Sequence, residues 1–371
     1  MLPQLVPHSV PLAAAVIVGA FFILTYSANF LVDGAVGVAF KLRISKIVIG
    51  IVLVGFATTS PELAVSLLAA INGKPEIALG NAVGSVIVDD ALALALGIIV
   101  APVALKVDSR VLRTTGLFLI AVAVASFLLA GPIAVPGRLN GCSGGATACV
   151  GRIEGFALIA TYFVYIGFVV RHERRTRRAA DSADSADSAA AVADGASAGG
   201  GAAPAADESN GLAEHVRPGG VAVQLGWLGV GVLGVIIASE FLVQSAEVLA
   251  EEAGASPAII GLTVIAIGTS LPEIATNIAA SRRGHGDLAL GNILGADILN
   301  ILWIIGASAM ANPIQVEREV VGFSFPWMLG VVALMLLLAR HRHRLDRWKG
   351  WVLASVYVVY LALTVYLFFI V

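Results

Sequence analysis

Long apolar stretches alternate with short polar breaks along the whole chain. A helix needs roughly 20 apolar residues to cross about 30 Å of hydrocarbon. Stretches near that length fall at 11–38, 47–70, 77–101, 114–134 and 153–170, and again at 221–246, 258–280, 288–311, 321–339 and 350–371. The pattern predicts an all-α polytopic membrane protein with ten transmembrane helices. Five lie in a first half, 1–170, and five in a second half, 221–371. Between them, 171–220 opens with a basic cluster from Arg171 to Arg178 and continues in Ala, Ser, Asp and Gly. Such a composition buries too little apolar surface to fold, so this segment reads as a flexible linker.

The two halves carry the same unit. Residues 30–102 and 241–313 align without a gap at a constant offset of 211. Within that register the first repeat, 45–102, and the second, 256–313, share 16 identities in 58 positions, well above what a common apolar composition gives. Five spans per half is an odd number, so the second copy inserts upside down relative to the first. Two inverted five-helix repeats are the usual plan of a secondary transporter.

Charge sets the orientation. With an outside N-terminus, the inside segments 39–46, 105–113, 171–220, 281–287 and 340–349 hold 19 of the 23 Lys and Arg, leaving Lys74, Arg138, Arg152 and Arg318 outside. By the positive-inside rule, both termini face outside and the linker is cytoplasmic, in a multi-pass protein of the cell membrane. The first ten residues hold no Lys or Arg, so the basic start of a cleavable signal peptide is missing. The first apolar stretch is therefore expected to remain as a span. Charged residues make up only 13% of the chain and the net charge is −2, against about 25% charged residues in soluble domains. The net charge says nothing about partners, and no basic surface is rich enough to suggest nucleic acid. The lipid bilayer is the expected environment, and no obligatory protein partner or cofactor is indicated. The two cysteines, Cys142 and Cys149, share the outside loop 135–152. Outside is the oxidising face, so they read either as a loop-closing disulfide or as two free thiols.

The repeat also places a glutamate in the middle of an apolar segment twice. An intramembrane carboxylate costs about 2.5–3.5 kcal/mol on insertion scales and marks a functional site. Thr58-Thr59-Ser60-Pro61-Glu62 matches Thr269-Ser270-Leu271-Pro272-Glu273. Residues three and four apart share a helix face, so hydroxyls stand over each carboxylate. Each proline lacks an N–H and displaces the carbonyl four residues back, here Ala57 and Gly268. The following helices open with Gly80-Asn81 and Gly291-Asn292 and carry Ser85 and Asp89 against Ala296 and Asn300. Asp90 and Asp297 are further acids, expected on neighbouring faces as a secondary pair. Asp33 and Glu247 read as vestibule or packing acids.

Combined by pseudo-symmetry, these residues give a site of Glu62, Glu273, Asp89 and Asn300 ringed by hydroxyls. Oxygen-only ligation suits Ca2+, and Na+ by the same hardness, whereas Mg2+ sheds water reluctantly. Three carboxylates in a low dielectric cannot all stay ionised without cations. Mutual exclusion of one Ca2+ and several monovalent ions on shared acids is a physical basis for exchange.

At these residues the chain resembles the Ca2+:cation antiporter superfamily, most closely prokaryotic sodium/calcium exchangers. Two motifs carry the resemblance: Gly-Thr-Ser-x-Pro-Glu, here Ala57–Glu62 and Gly268–Glu273, and the Gly-Asn-x-x-Gly-Ser motif, here Gly80–Asp89 and Gly291–Asn300. The resemblance implies Glu62 and Glu273 as central Ca2+ ligands, with the carbonyls of Thr58 and Thr269. It implies Thr59, Ser85, Ser270 and the carbonyls of Gly55 and Ala266 at flanking Na+ sites, with Asp89 and Asn300 lining the middle position. Three residues depart from the family pattern: Thr59 replaces Ser, Ala296 replaces a Ser hydroxyl, and Asp89 replaces a common Asn. The resemblance thus implies an antiporter exchanging Ca2+ for Na+ by alternating access. Ala296 and Asp89 instead favour a Ca2+/H+ exchanger on the same fold. An intramembrane aspartyl protease needs two facing catalytic aspartates where the repeat supplies Glu and Asn. A passive channel fits inverted repeats with central acids less well.

Overall fold

A computed structural model describes residues 9–42, 44–73, 75–130, 149–193, 218–252, 266–316 and 320–369. The helices are α1 (Val10–Leu42), α2 (Lys46–Thr58), α3 (Ser60–Ile71), α4 (Pro75–Val100), α5 (Ser109–Ala130), α6 (Arg152–Ala193), α7 (Val221–Glu252), α8 (Ala266–Thr269), α9 (Leu271–Arg282), α10 (Gly286–Ala311), α11 (Val320–His343) and α12 (Arg347–Phe369). Among the described residues, seven helices are long and apolar enough to cross a membrane, or eight when the bent pair α2–α3 counts as one span. The chain is a polytopic helical membrane protein. Helical segments also stand where the remaining two spans are expected, as α8–α9 and as α12.

Between the helices, four two-residue strands form two antiparallel ladders, β1 (Leu105–Lys106) with β4 (Arg344–Leu345), and β2 (Cys149–Val150) with β3 (Ile314–Gln315). The helix α6 runs 42 residues to Ala193, past the basic cluster that opens the 171–220 segment. Its alanines and arginines are strong helix formers, and a helix begun in the membrane needs no new nucleus to continue.

The ladders and loop contacts sort the segment ends into two faces. On one face Lys46 Nζ lies 3.3 Å from His285 Nδ1, the Ser45 N–H donates to Glu173, and β1 pairs with β4. On the other, β2 pairs with β3 and Asn312 donates to the Ala70 carbonyl. Cys149 is disulfide-bonded, and Cys142 lies outside the described residues. Asp33 pairs with Arg283, tying α1 to α9, while the Glu247 side chain lies outside the described residues.

The third helix of each repeat forms the centre. The apolar windows of α4 and α10 are 72% and 94% buried, whereas the windows of the other spans are 22–33% buried. The latter present residues such as Phe21, Phe22, Phe163 and Val164 outward, as lipid requires. Close approach is set by glycine. A Cβ on Gly295 would lie 2.4 Å from the Ile51 carbonyl oxygen, so α2 and α10 touch backbone to backbone. A Cβ on Gly231 would likewise collide with the Leu31 backbone, where α7 packs along α1.

Candidate cation site

Both motif helices break where their prolines require. α2 ends at Thr58, α3 starts at Ser60, and the two are bent by 47°. Thr59 at the break has φ −80° and ψ 4°; its counterpart Ser270, between α8 and α9, has φ −87° and ψ 6°. Pro61 and Pro272 fall in the first turn of the new helix, where a missing N–H costs nothing. Each break starts a helix that carries its glutamate in the first turn.

The third helices also change geometry at the site. Asp89–Ala93 in α4 and Leu299–Ile304 in α10 are π-helical, as is Gly50–Val54 in α2. Under the repeat offset the first, shifted to 300–304, falls within the second; Leu112–Gly116 in α5 and Val320–Ser324 in α11 are π-helical as well. Such bulges are rare and concentrate at functional sites. They re-aim Asp89 and Asn300 relative to a continuous α-helix. Nothing in the amino-acid pattern flags this.

These elements bring most of the sequence-derived residues together. Glu62 interacts electrostatically with Glu273 and Asp89, and Asp89 with Glu273. The Thr59 hydroxyl donates to Glu273 Oε1 at 3.0 Å. The Ser270 hydroxyl stands close to both Glu62 and Asp89 without meeting hydrogen-bond geometry. Asp90 and Asp297 face one another as a second acidic pair next to Asp89. Asn300 and Ser85 are buried on the same two central helices. Ala296 is fully buried and brings no side-chain oxygen. The Gly55 carbonyl accepts from the Thr59 N–H at 3.0 Å and from the Thr58 hydroxyl at 3.4 Å. Ala266 lies in α8.

Thr58, Thr59, Glu62, Ser85, Asp89, Asp90, Ser270, Glu273, Asp297 and Asn300 are each no more than 3% exposed. Both oxygens of Glu62, Asp89, Asp90 and Asp297, Oε2 of Glu273, the hydroxyls of Ser85 and Ser270 and the amide of Asn300 have no hydrogen-bond partner. Buried polar atoms are almost always bonded, and unpaired buried carboxylates are costlier still. A concentration of orphan oxygens is therefore a donor set for cations or protons. Among the described residues no three His, Cys, Asp or Glu side chains form a ready metal-holding group. Any cation held here draws on hydroxyls, amides and carbonyls as well as on acids.

Two asparagines that sequence reasoning left as helix openers prove structural. The Thr58 hydroxyl donates to Asn292 Oδ1 at 3.2 Å, and the Thr269 hydroxyl to Asn81 Oδ1 at 3.4 Å. Asn81 Nδ2 also reaches Ser66 Oγ at 3.0 Å. Their identity in both repeats was the signal that could have found them.

A family model described as sodium/calcium exchanger protein matches residues 12–171 and 223–366. The inner membrane protein YrbG of Escherichia coli K12 is 31% identical over 357 residues, covering 96% of this chain and 98% of its own length. The sodium/calcium exchanger MaX1 of Methanosarcina acetivorans is 28% identical over 356 residues, covering 93% and 96%. A structure of the sodium-calcium exchanger NCX_Mj soaked with Na+ and Sr2+ superposes with a TM-score of 0.71 at 23% identity. It spans 95% of this chain and 99% of that one, a likeness of fold.

Proposed function

Because the chain belongs to the sodium/calcium exchanger protein family, a family of transporters rather than enzymes, we propose that it exchanges Ca2+ for Na+ across the cell membrane by alternating access. In this reading Glu62 and Glu273 are the central Ca2+ ligands, with the carbonyls of Thr58 and Thr269. Thr59, Ser85, Ser270 and the carbonyls of Gly55 and Ala266 serve Na+, and Asp89 and Asn300 line the middle. The observation that carries it is the pairing of Glu62 and Glu273. The two come from symmetry-related broken helices, are both buried, interact electrostatically, and hold orphan oxygens. A dehydrated divalent ion needs two such charges; several monovalent ions satisfy the same acids in its place.

The reading includes ten spans in two inverted halves, 1–170 and 221–371, both termini outside and the 171–220 segment in the cytoplasm. Its support is the 19-to-4 charge split and the sorting of the same loops onto two faces.

A second reading is a Ca2+/H+ exchanger. The lost hydroxyl at Ala296 and the extra acids Asp89, Asp90 and Asp297 favour it. Uptake of radioactive Ca2+ into proteoliposomes, under an outward Na+ gradient and separately under an outward H+ gradient, decides between the two. Na+-driven uptake alone is expected. Uptake driven only by protons supports the second reading, and uptake under neither gradient sinks both.

A further inference from the structure

Beyond the central site, α9 continues Glu273 with Asn277 and Ser281 at four-residue spacing, so the three share one helix face. Each rung advances about 6 Å along the axis. The series runs from the site to the helix end that carries Arg282, Arg283 and His285, the face shared with Lys46. Asn277 and Ser281 are fully buried. Neither the oxygen nor the nitrogen of the Asn277 amide has a partner, and nor does the Ser281 hydroxyl. A buried amide with both ends unpaired is costly in a packed interior, and leucine or alanine would pack there without that cost.

Opposite them lies Gly97 in the last segment of α4. A methyl group on Gly97 would stand 2.8 Å from Ser281 Oγ and 3.0 Å from Asn277 Oδ1. The glycine therefore lets α4 close over the two polar side chains. The repeat offset maps Asn277 onto Ser66, Ser281 onto Ala70 and Gly97 onto Ser308. In the first repeat the Ser66 hydroxyl is engaged by Asn81. Among the described residues the second repeat thus keeps an uncommitted amide and hydroxyl at these two positions, where the first repeat has the engaged Ser66 and the apolar Ala70, with one unpaired hydroxyl at Ser308.

We infer that Asn277 Oδ1 and Ser281 Oγ form a transient hard-cation step between the central site and the Lys46–His285 face, closed here by the packing of Gly97. The inference rests on the cation-exchange reading. When α4 and α9 part, the amide and hydroxyl oxygens replace water around a leaving Na+ or Ca2+, which lowers the barrier between carboxylate and bulk solvent.

The test uses the full chain in proteoliposomes, with Cys142→Ser and Cys149→Ser and single cysteines N277C or S281C. Both positions are expected to react with a membrane-impermeant thiol reagent only from the side that labels a cysteine placed at 190. Adding Gly97→Ala, which wedges the closed contact, should speed that labelling by about threefold or more, as a population shift to the open form does. Asn277→Leu should slow exchange about tenfold, the effect of roughly one lost oxygen contact at a barrier. Equilibrium Ca2+ binding should stay unchanged, and Asn277→Ser should restore the flux. Labelling from the opposite side, absence of labelling even with Gly97→Ala, or full turnover in Asn277→Leu would overturn the inference. If the wild type moves no Ca2+ under either gradient, the exchange reading fails on its own, while one-sided labelling at 277 and 281 still scores the route.

Discussion

The Thr58 hydroxyl of the first repeat donates to Asn292 Oδ1 of the second at 3.2 Å, and the repeat offset carries this bond onto Thr269 and Asn81. Each broken helix is therefore held to the central helix of the opposite repeat by its own motif threonine. The bonds sit just before the breaks at Thr59 and Ser270, four residues ahead of Glu62 and Glu273. The duplication works as a mutual clamp, with each half supplying the partner that the other lacks.

That clamp is open to measurement. Thr58→Val keeps the shape but leaves Asn292 Oδ1 buried and unpaired, a loss of about 1–3 kcal/mol. A lower thermal unfolding midpoint in detergent is expected, with reduced Ca2+ flux. The double variant Thr58→Val/Asn292→Leu should recover part of the stability, because both polar partners are then gone. If the double variant is as unstable as the two single losses added, the two residues are not coupled.

Glu62→Gln and Glu273→Gln should each abolish Ca2+ transport in a protein that still folds and inserts. Glutamine keeps the volume and the oxygen but removes a charge that a dehydrated divalent ion requires. Size-exclusion profiles check the fold, and radioactive Ca2+ uptake checks the function. Near-normal flux in either variant would remove that residue from the central site.

Ala296→Ser restores the hydroxyl that Ser85 supplies at the symmetric position. A Na+ short of one ligand pays an uncompensated desolvation cost, so the serine should raise apparent Na+ affinity or Na+-driven Ca2+ flux. Ca2+ affinity should move less, since Glu62 and Glu273 are untouched. No change in Na+ dependence, together with proton-driven flux in the wild type, would favour H+ coupling.

The topology prediction uses single cysteines on a background without Cys142 and Cys149. An impermeant reagent applied to intact cells should label position 140 and spare position 190. The reverse pattern would turn the molecule over and contradict the positive-inside assignment.

The amino-acid sequence by itself determined much of this protein. Hydropathy marks the apolar helices because lipid leaves a backbone few other ways to satisfy its hydrogen bonds. The gapless repeat names Glu62 and Glu273 because a carboxylate is costly at mid-membrane, and twice at one register is not incidental. Pro61 and Pro272 announce breaks, and breaks are found at Thr59 and Ser270. Tertiary structure alone decided the rest. The π-helical turns at Asp89 and Leu299 have no signature in the local residue pattern. The facing of Asp90 and Asp297, which are not at equivalent repeat positions, depends on how α4 crosses α10. The clamp between Thr58 and Asn292 joins residues 234 apart. The run of α6 past residue 171 likewise shows a membrane helix extending into sequence whose composition alone suggests a linker. Periodicity and cost point to what must be buried; only the packed helices decide what it is buried against.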